Sequence, residues 1–281
     1  MFNIATINLE LKSMKKLLIV MTASFFFGGL NAQDAADKKI QAGLVLGAGL
    51  NFTQPETNLI TREGTGTDLL VGMSLDWHFL DNIALSTGLE FEFDRFRHAF
   101  NDTVFIDYLD REVLQNSSDE TPDGIMRLDE RRYRSIYATI PIMVKFQTNY
   151  LGYLRYFGKF GIRNSFLLQS RADNYGDNFD PTSMVITTGD ELLDMRIPGD
   201  MSFYRGSIGL SAGAEWNFSG GTCLVGELGY FYGFTNLHNG DALTGDEDKN
   251  KSIYEVDGTT NNYVTPNARQ GQLLFKVSLL F

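Results

Sequence analysis

Eight stretches of this chain, each about ten residues or longer, alternate between apolar and small or charged side chains: 43–52, 69–79, 83–94, 136–147, 156–168 (less cleanly), 204–218, 223–234 and 273–281. A period of two belongs to a strand whose faces meet different surroundings. In the second stretch Leu69, Val71, Met73, Leu75, Trp77 and Phe79 oppose Leu70, Gly72, Ser74, Asp76 and His78. Sandwich strands average about five or six residues, whereas a tilted strand needs about 9–11 to cross a bilayer. The connections alternate too. Those after the second, fourth and sixth stretches are a few residues long, and the others (53–66, 97–132, 171–202, 235–269) are long and acidic.

A soluble sandwich would hide the apolar faces between two sheets, but the aromatics sit where a lipid interface would want them. Phe79, Phe146, Phe218 and Phe281 close the strands that run toward the short turns or end the chain, and Trp77 and Trp216 sit two positions inside two of them. Phe52, Phe91, Phe93, Tyr204, Tyr232 and Phe234 lie at the far ends. Two aromatic girdles mark a membrane barrel. The expected fold is an all-β, eight-stranded antiparallel up-and-down transmembrane barrel with short periplasmic turns and long extracellular loops. In hydrocarbon every backbone N–H and C=O must be paired within the protein, and a closed antiparallel sheet does so without leaving an edge.

Composition narrows the classes. A single Cys excludes an intramolecular disulfide framework, and 24 basic against 35 acidic residues argue against a nucleic-acid partner. The apolar share of 43% is too high for a disordered chain and too low for a bundle of membrane helices. Lys15 and Lys16 precede an apolar run, Leu17–Leu30, which is shorter than a spanning helix, and Leu30-Asn31-Ala32 supplies an A-x-A-like cleavage site. Residues 1–32 therefore read as a signal peptide, with Met14 a second candidate start, 33–40 as a periplasmic tail and 41–281 as the barrel. Cleavage would remove Glu10, Lys12, Lys15 and Lys16 and leave a charge of −13. The expected location is the outer membrane of a Gram-negative bacterium.

The inward face collects Asp76, Glu90, Glu92, Asp94, Glu215 and Glu227 against Lys145, Lys159, Arg163, Arg205 and Lys276. Eight strands leave a lumen just wide enough for side chains to fill. Unpaired buried charge is costly, so a plug of mutual ion pairs is expected, with a charge-lined pore as the alternative. Asp76-Trp77-His78 places an acid and an imidazole on the inward face near the turn at Asp81, as plug residues. His98 and His238 fall near the outer rim beside acids such as Asp94 and Asp241, which is the basis of an enzyme reading. Spacing fixes no Ser or second catalytic carboxylate beside them, so no catalytic residue or cofactor is assigned. Asp246, Asp248, Asn250 and Ser252, with Asp257, have the spacing of a calcium loop, but Lys251 stands where the turn needs Gly, and a solvated acidic loop is expected. Cys223 reads as an inert buried thiol. Ser183–Thr188 and Glu191–Ile197, around Gly189-Asp190, form either a hairpin above the membrane or two further spanning strands.

The segment Tyr137-Ala138-Thr139-Ile140-Pro141-Ile142-Met143-Val144-Lys145-Phe146, with Gln41-Ala42-Gly43-Leu44, Gly158-Lys159-Phe160-Gly161 and Gly209–Phe218, resembles PorT-like outer-membrane β-barrel proteins of Bacteroidetes-type bacteria. The resemblance runs from about residue 39 to Phe281 and implies an eight-stranded barrel; one founding member takes part in type IX secretion and gliding. Phe281, ending an alternating strand, fits the signal read by the barrel-assembly machinery. The expected role is non-enzymatic: a plugged barrel whose partners are outer-membrane lipid, the assembly machinery during insertion, and an envelope complex or extracellular ligand met by the acidic loops. A narrow solute or ion channel is the second reading and an enzyme at the external rim the third.

Overall fold

The computed structural model describes residues 39–58, 60–62, 65–101, 104–107, 114–115, 125–180, 185–196, 199–219, 222–239, 253–257, 260–263 and 267–281. Eight long strands form the frame: β1 (Ile40–Pro55), β3 (Gly66–Leu80), β4 (Ile83–Phe100), β7 (Ile125–Gln147), β8 (Leu154–Asp180), β10 (Tyr204–Ser219), β11 (Thr222–Gly233) and β14 (Ala268–Leu280). Short strands β2 (Ile60–Arg62), β5 (Val104–Asp107), β6 (Leu114–Gln115), β12 (Ile253–Asp257) and β13 (Thr260–Tyr263), with β9 (Val185–Arg196), lie in the long connections. Each long strand pairs antiparallel with the next, and β1 pairs with both β3 and β14, so the eight close into an up-and-down barrel without an edge. The β4–β7 ladder skips Gly88 and Leu89, opposite Ile140 and Pro141, where proline has no N–H to give.

Through most of each strand the outward side chains are apolar and exposed, Leu46 and Leu210 at 63% among them. The inward ones are polar and buried: Glu92, Thr139, Arg163 and Glu215 are fully enclosed. That arrangement suits hydrocarbon outside and is the reverse of a soluble protein.

Above the outer girdle the polarity inverts. On β4, Phe91 and Phe93 face out against Glu92 and Asp94, but two residues further Arg95 and Arg97 face out against buried Phe96, His98 and Phe100. On β7, exposed Arg132 and Arg134 oppose buried Tyr133, and Met126 and Leu128 are buried beyond them. Two apolar clusters fill this end: Phe96, Tyr133, Ala172, Met201, Leu237 and Ala268, then Ile60, Phe100, Val104, Met126, Leu128 and Met195. The switch in surroundings, from lipid to water, decides which face is apolar. Register irregularities between Ile136 and Tyr137, and between Leu128 and Glu130, re-aim the side chains of β7 and β8 at these levels.

The long connections thus hold more strand than expected: 97–100, 125–132, 171–180 and 185–196 are all paired. The stretch around Gly189-Asp190 is corrected as well. Val185–Arg196 is one strand lying antiparallel against upper β8, from Asp180↔Val185 to Ala172↔Met195, so Gly189-Asp190 lies within a strand and does not turn between two. Gly189 has φ of 74° inside that strand, where Gly carries no steric penalty. The membrane ring has eight strands.

Candidate functional site

The lumen is filled from end to end by paired side chains. At the periplasmic end Lys145 Nζ lies 2.6 Å from Asp76 Oδ2 and also bonds Glu215. Arg155 Nε donates to Glu215 Oε2 at 2.8 Å. One level up, Lys159 pairs with Glu227 at 2.7 Å, and the Ser211 hydroxyl donates to the same carboxylate at 2.7 Å. At mid-height Glu90 accepts from Lys276 at 2.6 Å and from Arg163 at 2.9 Å, and Arg163 also bonds Glu92. Arg205 then bridges Glu92 and Asp94, reaching Asp94 Oδ2 at 2.7 Å. Aromatic faces brace the guanidinium groups, Phe231 under Arg163 at 4.8 Å and Tyr137 under Arg205 at 4.1 Å.

Every inward charge expected from the sequence belongs to this network. Two charged members were missed, Asp68 and Arg155, which lie one residue outside the stretches read as alternating. Gln270 and Gln272 were missed as well. Gln272 donates to Asp68 at 2.7 Å and Gln270 to Asp94 at 2.9 Å. Each polar residue at an inward position between charged neighbours was the available signal.

A cavity of about 20 Å³ remains beside Asp76, Glu90, Lys145 and Lys276, room for about one water. His78 is half-buried beside Asp76 at the periplasmic end. Cys223 is buried with its Sγ 3.8 Å from the Tyr150 hydroxyl.

His98 and His238 meet above the charge network. Their Nε2 atoms are 3.1 Å apart, and His238 Nδ1 lies 3.2 Å from Asp200 Oδ1. Tyr133 donates to Asp200 Oδ2 at 2.9 Å, and Arg131 approaches the same oxygen at 3.5 Å while its Nε donates to Asn174 at 2.6 Å. The expected acid beside His98 is corrected: Asp94 is engaged by Arg205, Asn51 and Gln270, and the carboxylate at the histidines is Asp200, which folds in from the segment between β9 and β10. Asp241 lies outside the described residues. Burial and then the neighbouring His238 hold the His98 imidazole down to about 3. Burial pushes the Asp200 carboxyl up, but its hydrogen bond with His238 and the His238 and Arg131 charges outweigh that and hold it well below the usual carboxylate range. Phe100, Met126 and Leu128 lie beyond this cluster, and both imidazoles are sealed, at 0% and 1% exposure. The set could share a proton, and both of its rings are closed off from solvent.

On the outward face, exposed Trp77, Phe79, Phe146 and Trp216 ring the periplasmic end, with exposed Phe281 beside them. Phe218 is in β10, with its side chain outside the described ones. Of the calcium-loop residues, Asp246, Asp248, Asn250 and Ser252 lie outside the described residues, and Asp257 ends β12. Residues 1–38, with the cleavage site, lie outside them as well.

A closed eight-stranded barrel with an apolar belt, aromatic girdles and a polar interior defines an integral outer-membrane β-barrel protein. The family model described as outer membrane protein beta-barrel domain matches residues 31–239, and the chain belongs to that family. No curated protein matches it. Among solved structures, Neisserial surface protein A is similar at 12% identity over 87% of this chain and 98% of its own, with a TM-score of 0.33. Ail, the attachment invasion locus protein of Yersinia pestis, is similar at 11% identity over 87% and 100%, with a TM-score of 0.30. Outer membrane protease OmpT from Escherichia coli follows at 9% identity over 90% and 99%, with a TM-score of 0.33. Likenesses at this level carry no argument about role.

Proposed function

We propose that this protein is a plugged, non-enzymatic outer-membrane barrel that presents a rigid β-structured extension to a partner outside the cell. One observation carries the reading: ion pairs fill the lumen at every level from Glu215 to Asp94, and the outer end is roofed by apolar side chains. A solute path would have to break several buried charge pairs at once. Strands β7 and β8 stay paired up to Ile125↔Phe179, and β5, β9 and β12 join that sheet, so the external region offers ordered surface. The sealed position of His98 and His238 supports a non-enzymatic role. The likeness of Tyr137–Phe146 to PorT-like strands supports membership of an envelope complex, reached after export with cleavage at Ala32-Gln33. Planar-bilayer recording tests the plug: purified protein should insert without a steady current, and a selective, steady conductance would overturn it. Mild-detergent extraction followed by pull-down should retain an envelope protein bound to the extension.

A further inference from the structure

The polarity inversion leaves a row of like charges at the outer membrane boundary. Arg95 on β4, Arg134 on β7 and Arg171 on β8 are consecutive cross-strand partners. One step further out Arg97 lies opposite Arg132. Arg95, Arg97, Arg132 and Arg134 are exposed on the face that carries Phe93 and Ile136 directly below. Like charges placed opposite one another destabilise a sheet unless counter-charge arrives. Among the described residues the counter-charge is partial. Arg134 takes both Asp173, at 2.7 Å, and Asp194, at 3.2 Å, and Glu130 serves Arg132 at 2.6 Å and Arg97 at 3.9 Å. Arg95 and Arg171, at the two ends of the row, contact no carboxylate among the described residues. Beside Arg171 a cleft of about 290 Å³ opens between upper β8 and Gly199–Met201, with Arg196 on its wall.

Two residues beyond Phe93 along a tilted strand is a rise of about 5 Å, inside a headgroup layer about 5–7 Å thick. What faces these side chains sideways is therefore lipid headgroup. Arginine, whose planar fork suits phosphate, is the basic residue at all five positions of these two rows, in a chain whose overall charge is −11. We infer that the Arg95–Arg134–Arg171 row, with Arg97 and Arg132, is a binding site for a phosphate-bearing lipid headgroup of the outer leaflet.

The test is native mass spectrometry of the full-length protein in a neutral detergent, titrated with short-chain phosphatidic acid, phosphatidylcholine of equal chain length, or inorganic phosphate. Phosphatidic acid should be retained in preference to phosphatidylcholine. The double variant Arg95→Gln, Arg134→Gln should weaken that retention about tenfold by removing charge-assisted hydrogen bonds. Arg127→Gln, higher on β7, should leave it unchanged. The gel shift of the unheated barrel confirms folding, and Arg171→Gln serves as a second probe should the double variant not fold. Equal retention of both lipids, or native retention by folded variants, would overturn the site. Displacement of the lipid by equimolar inorganic phosphate would overturn the lipid assignment.

Discussion

His98 Nε2 lies 3.1 Å from His238 Nε2, across 140 residues of sequence, inside the sealed outer end of the barrel. One ring must donate and the other accept. A proton added to His98 has no acceptor waiting, because its Nδ1 is buried without a hydrogen-bond partner among the described residues.

Stability of the outer end should therefore fall in acid. The folded imidazole is held down to about 3, against an unfolded value of about 6.5, so the unfolded state binds more protons between them. The uncharged His98 ring contributes fully above about pH 6.5, and its contribution is lost as pH drops toward 3, by about 2 kcal/mol at pH 5. The groups facing the ring are His238, Asp200, Arg131 and Tyr133. Hydrogen exchange at Phe96–Phe100 should rise across this window, and His98→Gln should flatten the rise.

Glu92 holds two guanidinium groups, those of Arg163 and Arg205. Glu92→Ala takes one of two carboxylates from each, leaving Arg163 with Glu90 and Arg205 with Asp94 in a buried site, a loss of about 3–5 kcal/mol. Urea unfolding from vesicles, followed through Trp77 and Trp216, should show it as a lower midpoint.

Leu46 is outward near the middle of the belt and 63% exposed. Leu46→Arg should destabilise the inserted barrel by about 2–4 kcal/mol, the cost of a cation near the bilayer midplane. The same change in a soluble protein's surface would be almost neutral, so unfolding of Leu46→Arg from vesicles tests whether this face meets lipid.

A Cβ at Gly209 would strike the Phe231 ring 2.5 Å away, the ring beneath Arg163. Gly209→Val should lose about 1–3 kcal/mol through overpacking, and refolding yield into detergent measures it.

The belt was legible because lipid on one side and a narrow lumen on the other give every strand the same two-faced code. Leu69–Phe79 and Ile136–Phe146 show it over five or more turns of the pattern. The outer extension was not, because alternation continues there with its sense reversed: Phe96 and Tyr133 are buried where Asp94 and Ser135 were polar, and a reader following one face sees the pattern end. Asp68 and Arg155 keep the ordinary sense, inward and buried, and were lost only because they stand one residue outside the stretches read as alternating. His98 and His238 could be placed at the rim by strand arithmetic, but Asp200 and Arg131 could not be assigned to them. Those contacts depend on how Gly199–Met201 folds back over the barrel, and Met201 pairs with His238 through an isolated bridge.

The reversal between Phe93 and Arg95 also fixes how deep the molecule sits. Raising the barrel by one ladder step would lift Phe93 and Ile136 into water, and lowering it would drag Arg95 and Arg134 toward hydrocarbon. Both displacements are uphill, in opposite senses, on β4 and β7 alike. The strands carry their own waterline, and a partner meeting the extension would find it at a set height above the bilayer.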